Sequence, residues 1–118
     1  MPKICIISTR PPYASTAAKD ALDTALVSAS YDQETSLLFL GDGIYQLIKG
    51  QQPEGLPQKN PGAMLQALEM YGIENVLVSR EDMRDRGLQE SDLTIPAQLL
   101  ERNAIGGWLA QQDRVFNF

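Results

Sequence analysis

The amino-acid sequence contains no histidine among its 118 residues. Histidine is the most common general acid or base and the most common metal ligand in proteins. Its absence excludes Ser-His-Asp triads and zinc sites of the usual Cys/His type within this chain. The single cysteine, Cys5, cannot form an internal disulfide, which is typical of cytoplasmic proteins. We expect neither a metal site nor a cofactor.

Basic residues and long apolar runs are also scarce. Ten Lys and Arg against fifteen Asp and Glu give a formal net charge of −5, which argues against direct binding to nucleic acid or to an anionic membrane. No run approaches the roughly 18 apolar residues of a transmembrane helix. The first residues are too short and wrongly flanked for a signal peptide. We therefore expect a cytoplasmic protein, with residues 1–118 forming one domain.

Short apolar runs alternate with helical patterns along the chain. The runs predict strands at 3–8, 35–40, 73–78, 93–97 and 115–118. The patterns predict helices at about 15–29, 44–48, 60–71, 79–86 and 101–111. This order and these crossover spacings predict the α/β class: a doubly wound, mostly parallel, five-stranded sheet with helices on both faces.

The Gly-Asp-Gly turn after the second predicted strand has two interpretations. Ligands in this fold class bind beyond the carboxyl ends of the strands, where the exposed amides of Gly41 and Gly43 could hold an anion. However, the complete phosphate-binding motifs are absent, and Asp42 would repel a phosphate. The structural interpretation, which we favour, is a turn in which Asp42 caps the following short helix.

Two further residues belong to the same binding hypothesis. Arg10 follows the first strand and could bind a carboxylate or phosphate, although an ordinary solvated arginine is the simpler interpretation. Ser15 is a candidate N-cap of the first helix. A small-anion or nucleotide binding domain that uses the ends of strands 1 and 2 is therefore the alternative function. A thiol enzyme acting through Cys5 is less favoured, because this apolar strand predicts a buried thiol.

Charged and large apolar residues give weaker indications. The nearly charge-balanced run 80–86 predicts a solvated helix face, capped by Ser79 and ended by Gly87. Two adjacent glycines, Gly106 and Gly107, predict close packing of the last helix. The large apolar residues predict a core and leave an oligomer interface open; they are Met64, Met70, Tyr71, Met83, Trp108, Phe116 and Phe118.

Several separate stretches together resemble the TusC/DsrF subunits of the DsrE/DsrF/DsrH sulfur-relay family. They are the opening strand with its Pro-containing loop and Ala-rich helix, LGDGIYQLIKGQQP, IENVLVSREDMRDRGL and the final DRVFNF. The most specific combination is DGIYQL followed by GQ-x-P and then by RDRGL. The resemblance covers essentially the whole chain and implies a DsrE-like or flavodoxin-like fold.

The resemblance also implies partners and a role. Such subunits assemble with TusB-like and TusD-like subunits and pass sulfur as a cysteine persulfide toward a TusE-like carrier, which serves 2-thiolation of the wobble uridine of certain tRNAs. The sulfur-carrying cysteine belongs to the TusD-like subunit, and its position falls at or next to Ser79 here. A serine hydroxyl cannot form a persulfide, and Cys5 lies in a different strand. The resemblance therefore implies a noncatalytic subunit.

Overall fold

Five parallel strands form a single sheet at the centre of the molecule. The computed structural model describes residues 2–10, 17–31, 33–48, 68, 70–73, 75–93 and 97–118. The strands are β1 (Lys3–Ser8), β2 (Glu34–Phe39), β3 (Asn75–Ser79), β4 (Gln98–Leu100) and β5 (Arg114–Asn117). Their spatial order is β4-β3-β2-β1-β5, and every neighbouring pair is parallel. The predicted α/β class with a parallel five-stranded sheet is confirmed.

Helices cover the two faces of this sheet. They are α1 (Ala17–Ser30), α2 (Arg80–Asp85) and α3 (Arg102–Ala110), with 3₁₀ helices at Gly41–Leu47 and Glu90–Asp92. Leu68 and Met70 are also helical, and Gly72 ends that segment with a φ of 79°. The predicted starts of this helix near Asn60 and of α1 at Ser15 lie outside the described residues.

Side chains that alternate along the strands build one core on each face. On β1, Ile4 and Ile6 pack in the core beneath α1, whereas Cys5 and Ile7 pack in the core beneath α3. Strands buried on both sides read as continuous apolar runs, which is why β1 and β2 could be predicted from the sequence. No helix within the described ranges is long and apolar enough to span a lipid bilayer.

The predicted fourth strand at 93–97 is wrong. Leu93 is buried and forms an isolated antiparallel bridge with Ile48, and residues 94–96 lie outside the described ranges. The strand that pairs with β3 is Gln98–Leu100 instead, with Leu99 opposite Val78. An apolar run shows that a segment is buried, but only pairing with a neighbour decides which residues join the sheet.

Two expectations about packing also need correction. Gly106 and Gly107 are exposed on α3, and a side chain at either position would meet none of the described residues within 4 Å, so the predicted close packing is absent from the described part of the chain. Among the large apolar residues, only part of the set lies in the core. Met83 is buried, Trp108 and Phe118 are half-buried, Met70, Tyr71 and Phe116 are exposed, and Met64 lies outside the described residues.

Candidate functional site

The carboxyl ends of the parallel strands bring Ser79 and the Gly41–Gly43 turn to one edge of the sheet. Ser8 ends β1 beside Phe39 of β2, and Ser79 ends β3 beside Leu100 of β4. In open α/β sheets this edge is where ligands bind. A polar group at this edge could contact a ligand only if it is not already hydrogen-bonded within the chain.

Helix α2 begins at this edge, and Ser79 caps it. The buried Ser79 Oγ accepts a hydrogen bond from the backbone N–H of Asp82 at 3.2 Å, which satisfies one of the unpaired donors of the first turn. Gly87 lies just beyond the helix with a φ of 68°. The predicted cap at Ser79 is confirmed, and the hydroxyl oxygen of Ser79 serves as the N-cap acceptor of α2.

The carboxylate of Asp82 occupies the anion position that the Gly-Asp-Gly turn could have offered to a ligand. Its Oδ2 accepts a hydrogen bond from the backbone N–H of Gly41 at 2.9 Å. The N–H of Gly43 donates to the carbonyl of Leu40 at 3.0 Å. Since the chain itself satisfies both amides, no phosphate cradle is formed here, and the small-anion alternative is not favoured.

Asp42 does not cap a helix, contrary to the sequence-based interpretation. The 3₁₀ helix begins at Gly41, and Leu40 occupies its N-cap position with no side-chain cap. The Asp42 carboxylate instead accepts hydrogen bonds from Nε and Nη2 of Arg86, at 3.2 and 3.0 Å. This ion pair links the turn after β2 to the C-cap residue of α2, across 44 residues of sequence.

Each glycine of the turn is required for a different reason. Gly41 has a φ of 55°, in the left-handed region that favours glycine. Gly43 has no such φ, but a Cβ added to it would lie 2.1 Å from the backbone oxygen of Ser8. Its role is therefore close approach of two backbone segments, and the turn is a packing junction between β1 and β2.

A buried glutamine that sequence reasoning missed holds the same junction. Gln46 Nε2 donates to Ser8 Oγ at 2.6 Å and to the carbonyl of Arg10 at 2.9 Å. The signal in the sequence was a polar residue inside the apolar segment IYQLI. The side chain of Arg10 is exposed, whereas Ser15 lies outside the described residues.

A second pair of contacts joins α2 to the start of α3. Both carboxylate oxygens of Glu81 accept from the backbone N–H of Arg102, at 2.9 and 2.8 Å. The hydrogen bond from this N–H lowers the pKa of the Glu81 carboxyl below its ordinary value of 4.5. The Arg102 guanidinium pairs with Asp82 at 3.1 Å. Glu81 thus caps α3 from another helix, since Glu101 at the N-cap position has no side-chain cap.

These contacts change the interpretation of the charged run 80–86. Arg80, Arg84 and Asp85 are exposed, as a solvated helix face requires. However, Glu81, Asp82 and Arg86 are only partly exposed and are bonded to two other segments, the turn after β2 and the start of α3. The prediction of a purely solvated face is therefore wrong for that half of the run.

The only cysteine of the sequence, Cys5, is buried and unreactive at neutral pH. Cys5 is 0% exposed in the core beneath α3, and burial raises the pKa of its thiol from 9.0 to about 12. At neutral pH the thiol is therefore protonated, and only a thiolate is a competent nucleophile. Within the described ranges, no group of three or more Cys, Asp or Glu residues could hold a metal ion.

The architecture defines a class of known proteins. The solved structure of the ychN protein from E. coli superposes with a TM-score of 0.87, covers 100% of both chains and is 22% identical in sequence. This likeness shows the fold alone: a parallel five-stranded α/β sheet with the same arrangement of elements.

The sequence comparisons name the family. The chain belongs to the DsrE/DsrF-like family, which matches residues 2–118. It is similar to the protein TusC homolog of Pseudomonas aeruginosa, with 39% identity over 95% of this chain and 94% of that protein. It is 29% identical to protein TusC of Escherichia coli O157:H7 over the full length of both. The intracellular sulfur oxidation protein DsrF of Allochromatium vinosum is 35% identical over 77% of this chain and 67% of that protein.

Proposed function

We propose that this protein is a noncatalytic subunit of a TusBCD-like sulfur-transfer complex that supports 2-thiolation of the tRNA wobble uridine in the cytoplasm. Its partners are TusB-like and TusD-like subunits, and its links to a TusE-like carrier and to tRNA are indirect. Similarity to TusC proteins along the whole chain supports this assignment. The match to DsrF spans less of that protein, which favours the TusC-like role over sulfur oxidation.

The observation that carries the noncatalytic role is the environment of Cys5 and Ser79. Carrying sulfur as a persulfide requires an accessible thiolate. Cys5 is fully buried with a raised pKa, so it cannot approach a persulfide donor in the folded chain. Ser79, which lies at or next to the position that the resemblance gives to the sulfur-carrying cysteine, has a hydroxyl that caps α2. The sulfur is therefore carried by a thiol on a partner subunit.

The contacts of the site suggest what the chain contributes in place of a thiol. Asp42, Asp82 and Arg86 hold the turn after β2 against α2, and Glu81 holds α3 against the same helix. Interlocked hydrogen bonds of this kind keep a surface in one geometry. A rigid edge at the strand ends is suited to positioning the partner whose thiol reacts.

The test is complementation combined with mass measurement. In a strain that lacks this gene, the Cys5→Ala variant should restore 2-thiouridine in tRNA to the wild-type level. After the purified complex is loaded with a persulfide donor, intact mass should show added sulfur on the TusD-like subunit and none on this chain. A maleimide should modify Cys5 only after unfolding. Added sulfur on this chain, or a folded Cys5→Ala variant that restores no 2-thiouridine, would contradict the proposal.

A further inference from the structure

The turn after β2 contains the only Asp-Gly pair of the sequence, Asp42-Gly43, and the sequence contains no Asn-Gly pair. Asp-Gly is the linkage at which an aspartate cyclises most readily onto the main chain, because glycine has no Cβ to obstruct its own amide nitrogen. The Asp42 side chain is 57% exposed, so water reaches its carboxylate. A chemically labile linkage therefore lies inside the packing junction between β1 and β2.

Cyclisation at this linkage needs only water and involves no oxidation or reduction. The amide nitrogen of Gly43 forms a bond to Cγ of Asp42, and its proton leaves with one carboxylate oxygen and a solvent proton as water. The product is a cyclic succinimide. Water then breaks the bond between this nitrogen and the backbone carbonyl carbon of Asp42, which returns a hydrogen to the nitrogen and leaves a free α-carboxyl group. The main chain now runs through Cβ and Cγ, and the residue is an isoaspartate.

The folded chain holds the two reacting groups on separate partners. Nε and Nη2 of Arg86 donate to the Asp42 carboxylate at 3.2 and 3.0 Å. The N–H of Gly43 donates to the carbonyl of Leu40 at 3.0 Å, within the 3₁₀ helix. Ring closure requires the Gly43 nitrogen to lie in one plane with Cβ and Cγ of Asp42, whereas a 3₁₀ ψ of about −20 to −30° turns it well out of that plane. Cyclisation therefore has to break both contacts.

A third contact fixes the guanidinium of Arg86 in place. Its Nη1 donates to the carbonyl of Asp82 at 3.0 Å, one turn earlier in α2, and the Arg86 side chain is only 23% exposed. The planar fork of an arginine gives a bound carboxylate a defined geometry. The Asp42 carboxylate is therefore held toward α2, although more than half of its side chain is in contact with water.

An isoaspartate at this position is incompatible with the packing of the junction. It adds an atom to the main chain immediately before Gly43, where an added Cβ would already lie 2.1 Å from the backbone oxygen of Ser8. Farther along the same 3₁₀ helix, the buried Gln46 donates to Ser8 Oγ and to the carbonyl of Arg10. A longer turn shifts these groups relative to β1, so the product loses contacts that the unmodified chain makes.

We propose that Asp42-Gly43 is a site of spontaneous isoaspartate formation, and that Arg86 slows this reaction in the folded chain by holding the Asp42 carboxylate. The proposal goes beyond the proposed function and is independent of it, because it uses only contacts within this chain. The free α-carboxyl group of the product belongs to the class of group that isoaspartyl carboxyl methyltransferases methylate. Arg86 is thus a protecting residue, and any event that separates α2 from the turn exposes the linkage to isomerisation.

The test is incubation of the purified full-length chain at neutral pH and physiological temperature. Isoaspartate is quantified by methyl transfer from an isoaspartyl carboxyl methyltransferase and located by peptide mapping. Unfolded in guanidinium chloride, the wild-type chain should form isoaspartate about tenfold faster or more than the folded chain, because both contacts are absent. Arg86→Ala should accelerate the reaction in the folded chain by about two- to fivefold, the factor that corresponds to a partly exposed ion pair. Asp42→Glu should remove most of the signal, because a glutamate has to close a larger ring.

Two control variants separate release of the carboxylate from other effects. Arg84→Ala also removes an arginine from α2, but Arg84 is exposed and its guanidinium forms an ion pair with none of the described residues. Ile105→Val lowers the stability of the core beneath α3 without touching the turn. Both variants should form isoaspartate at the wild-type rate. Unfolding midpoints establish that every variant is folded during the incubation.

Each remaining outcome decides one part of the proposal. Equal rates for Arg86→Ala and Arg84→Ala would overturn the role of Arg86. A rate in Ile105→Val that rises as much as in Arg86→Ala would assign the reaction to global unfolding and contradict local protection. Isoaspartate that maps to another residue, or a folded wild-type chain that reacts as fast as the unfolded one, would overturn the site. Isoaspartate-containing chains should unfold at a lower guanidinium midpoint, and an unchanged midpoint would contradict the packing argument.

Discussion

Removing the carboxylate of Asp82 should destabilise the fold far more than removing an exposed carboxylate from the same charged run. Asp82→Ala leaves the backbone N–H of Gly41 without its partner at 2.9 Å, and a hydrogen bond to a charged group contributes about 1.5–3 kcal/mol. Loss of an acidic residue from the first turn of α2 costs about 0.3–1 kcal/mol more. The pair with the exposed Arg102 adds at most about 0.5 kcal/mol. The expected loss is therefore about 2–4 kcal/mol in the free energy of unfolding.

Urea unfolding followed by circular dichroism measures this loss. Asp85→Ala is the matched control, because Asp85 lies on the same helix, is 63% exposed and approaches Arg102 only at 3.7 Å. It should cost about 0.5 kcal/mol or less. Asp82→Asn keeps an acceptor for Gly41 but no charge, and should fall about halfway between the wild type and Asp82→Ala. If Asp82→Ala and Asp85→Ala lose the same free energy, the assigned role of Asp82 is wrong.

Two further perturbations test the same edge of the sheet. Gly43→Ala should lower the free energy of unfolding by about 3 kcal/mol, because the new Cβ would lie 2.1 Å from the backbone oxygen of Ser8 and neither segment can move cheaply. Gly106→Ala, at an exposed helical position, should instead raise it by about 0.5–1 kcal/mol, and equal effects of the two changes would contradict the packing argument. Glu81 should make the free energy of unfolding depend on pH, because the pKa of its carboxyl is lower in the folded state than its ordinary value of 4.5. Its stabilising contribution is therefore present above about pH 4.5 and is lost as the pH falls through the folded pKa. In Glu81→Gln the urea midpoint should vary less with pH in this range, whereas an unchanged pH profile would show that the bond to Arg102 does not form.

Local signals explain the parts of the site that could be predicted. Ser79 at the cap of α2, acidic residues in its first turn and Gly87 beyond its end lie within nine residues of one another. The interactions that specify this helix are therefore contained in the segment itself. The same holds for β1, whose continuous apolar run needs no knowledge of its neighbours.

Residues that act over long sequence separations could not be predicted in the same way. Gln46 reaches Ser8 across 38 residues, and Asp82 reaches Gly41 across 41. The role of Asp42 was misassigned for this reason, since capping was the only local interaction open to it. Nothing in the sequence places Arg86 beside it until β2 and β3 have paired.

Composition and local pattern were sufficient for the α/β class and for the absence of histidine chemistry. They were sufficient because period-two and period-3.6 patterns, caps and missing residue types are properties of short segments. Strand pairing decided the rest: it made Gln98–Leu100 the fourth strand, buried Cys5 and gave the turn after β2 an internal carboxylate. These features depend on which distant segments meet, and the free energy of such contacts is gained only when the whole sheet has formed.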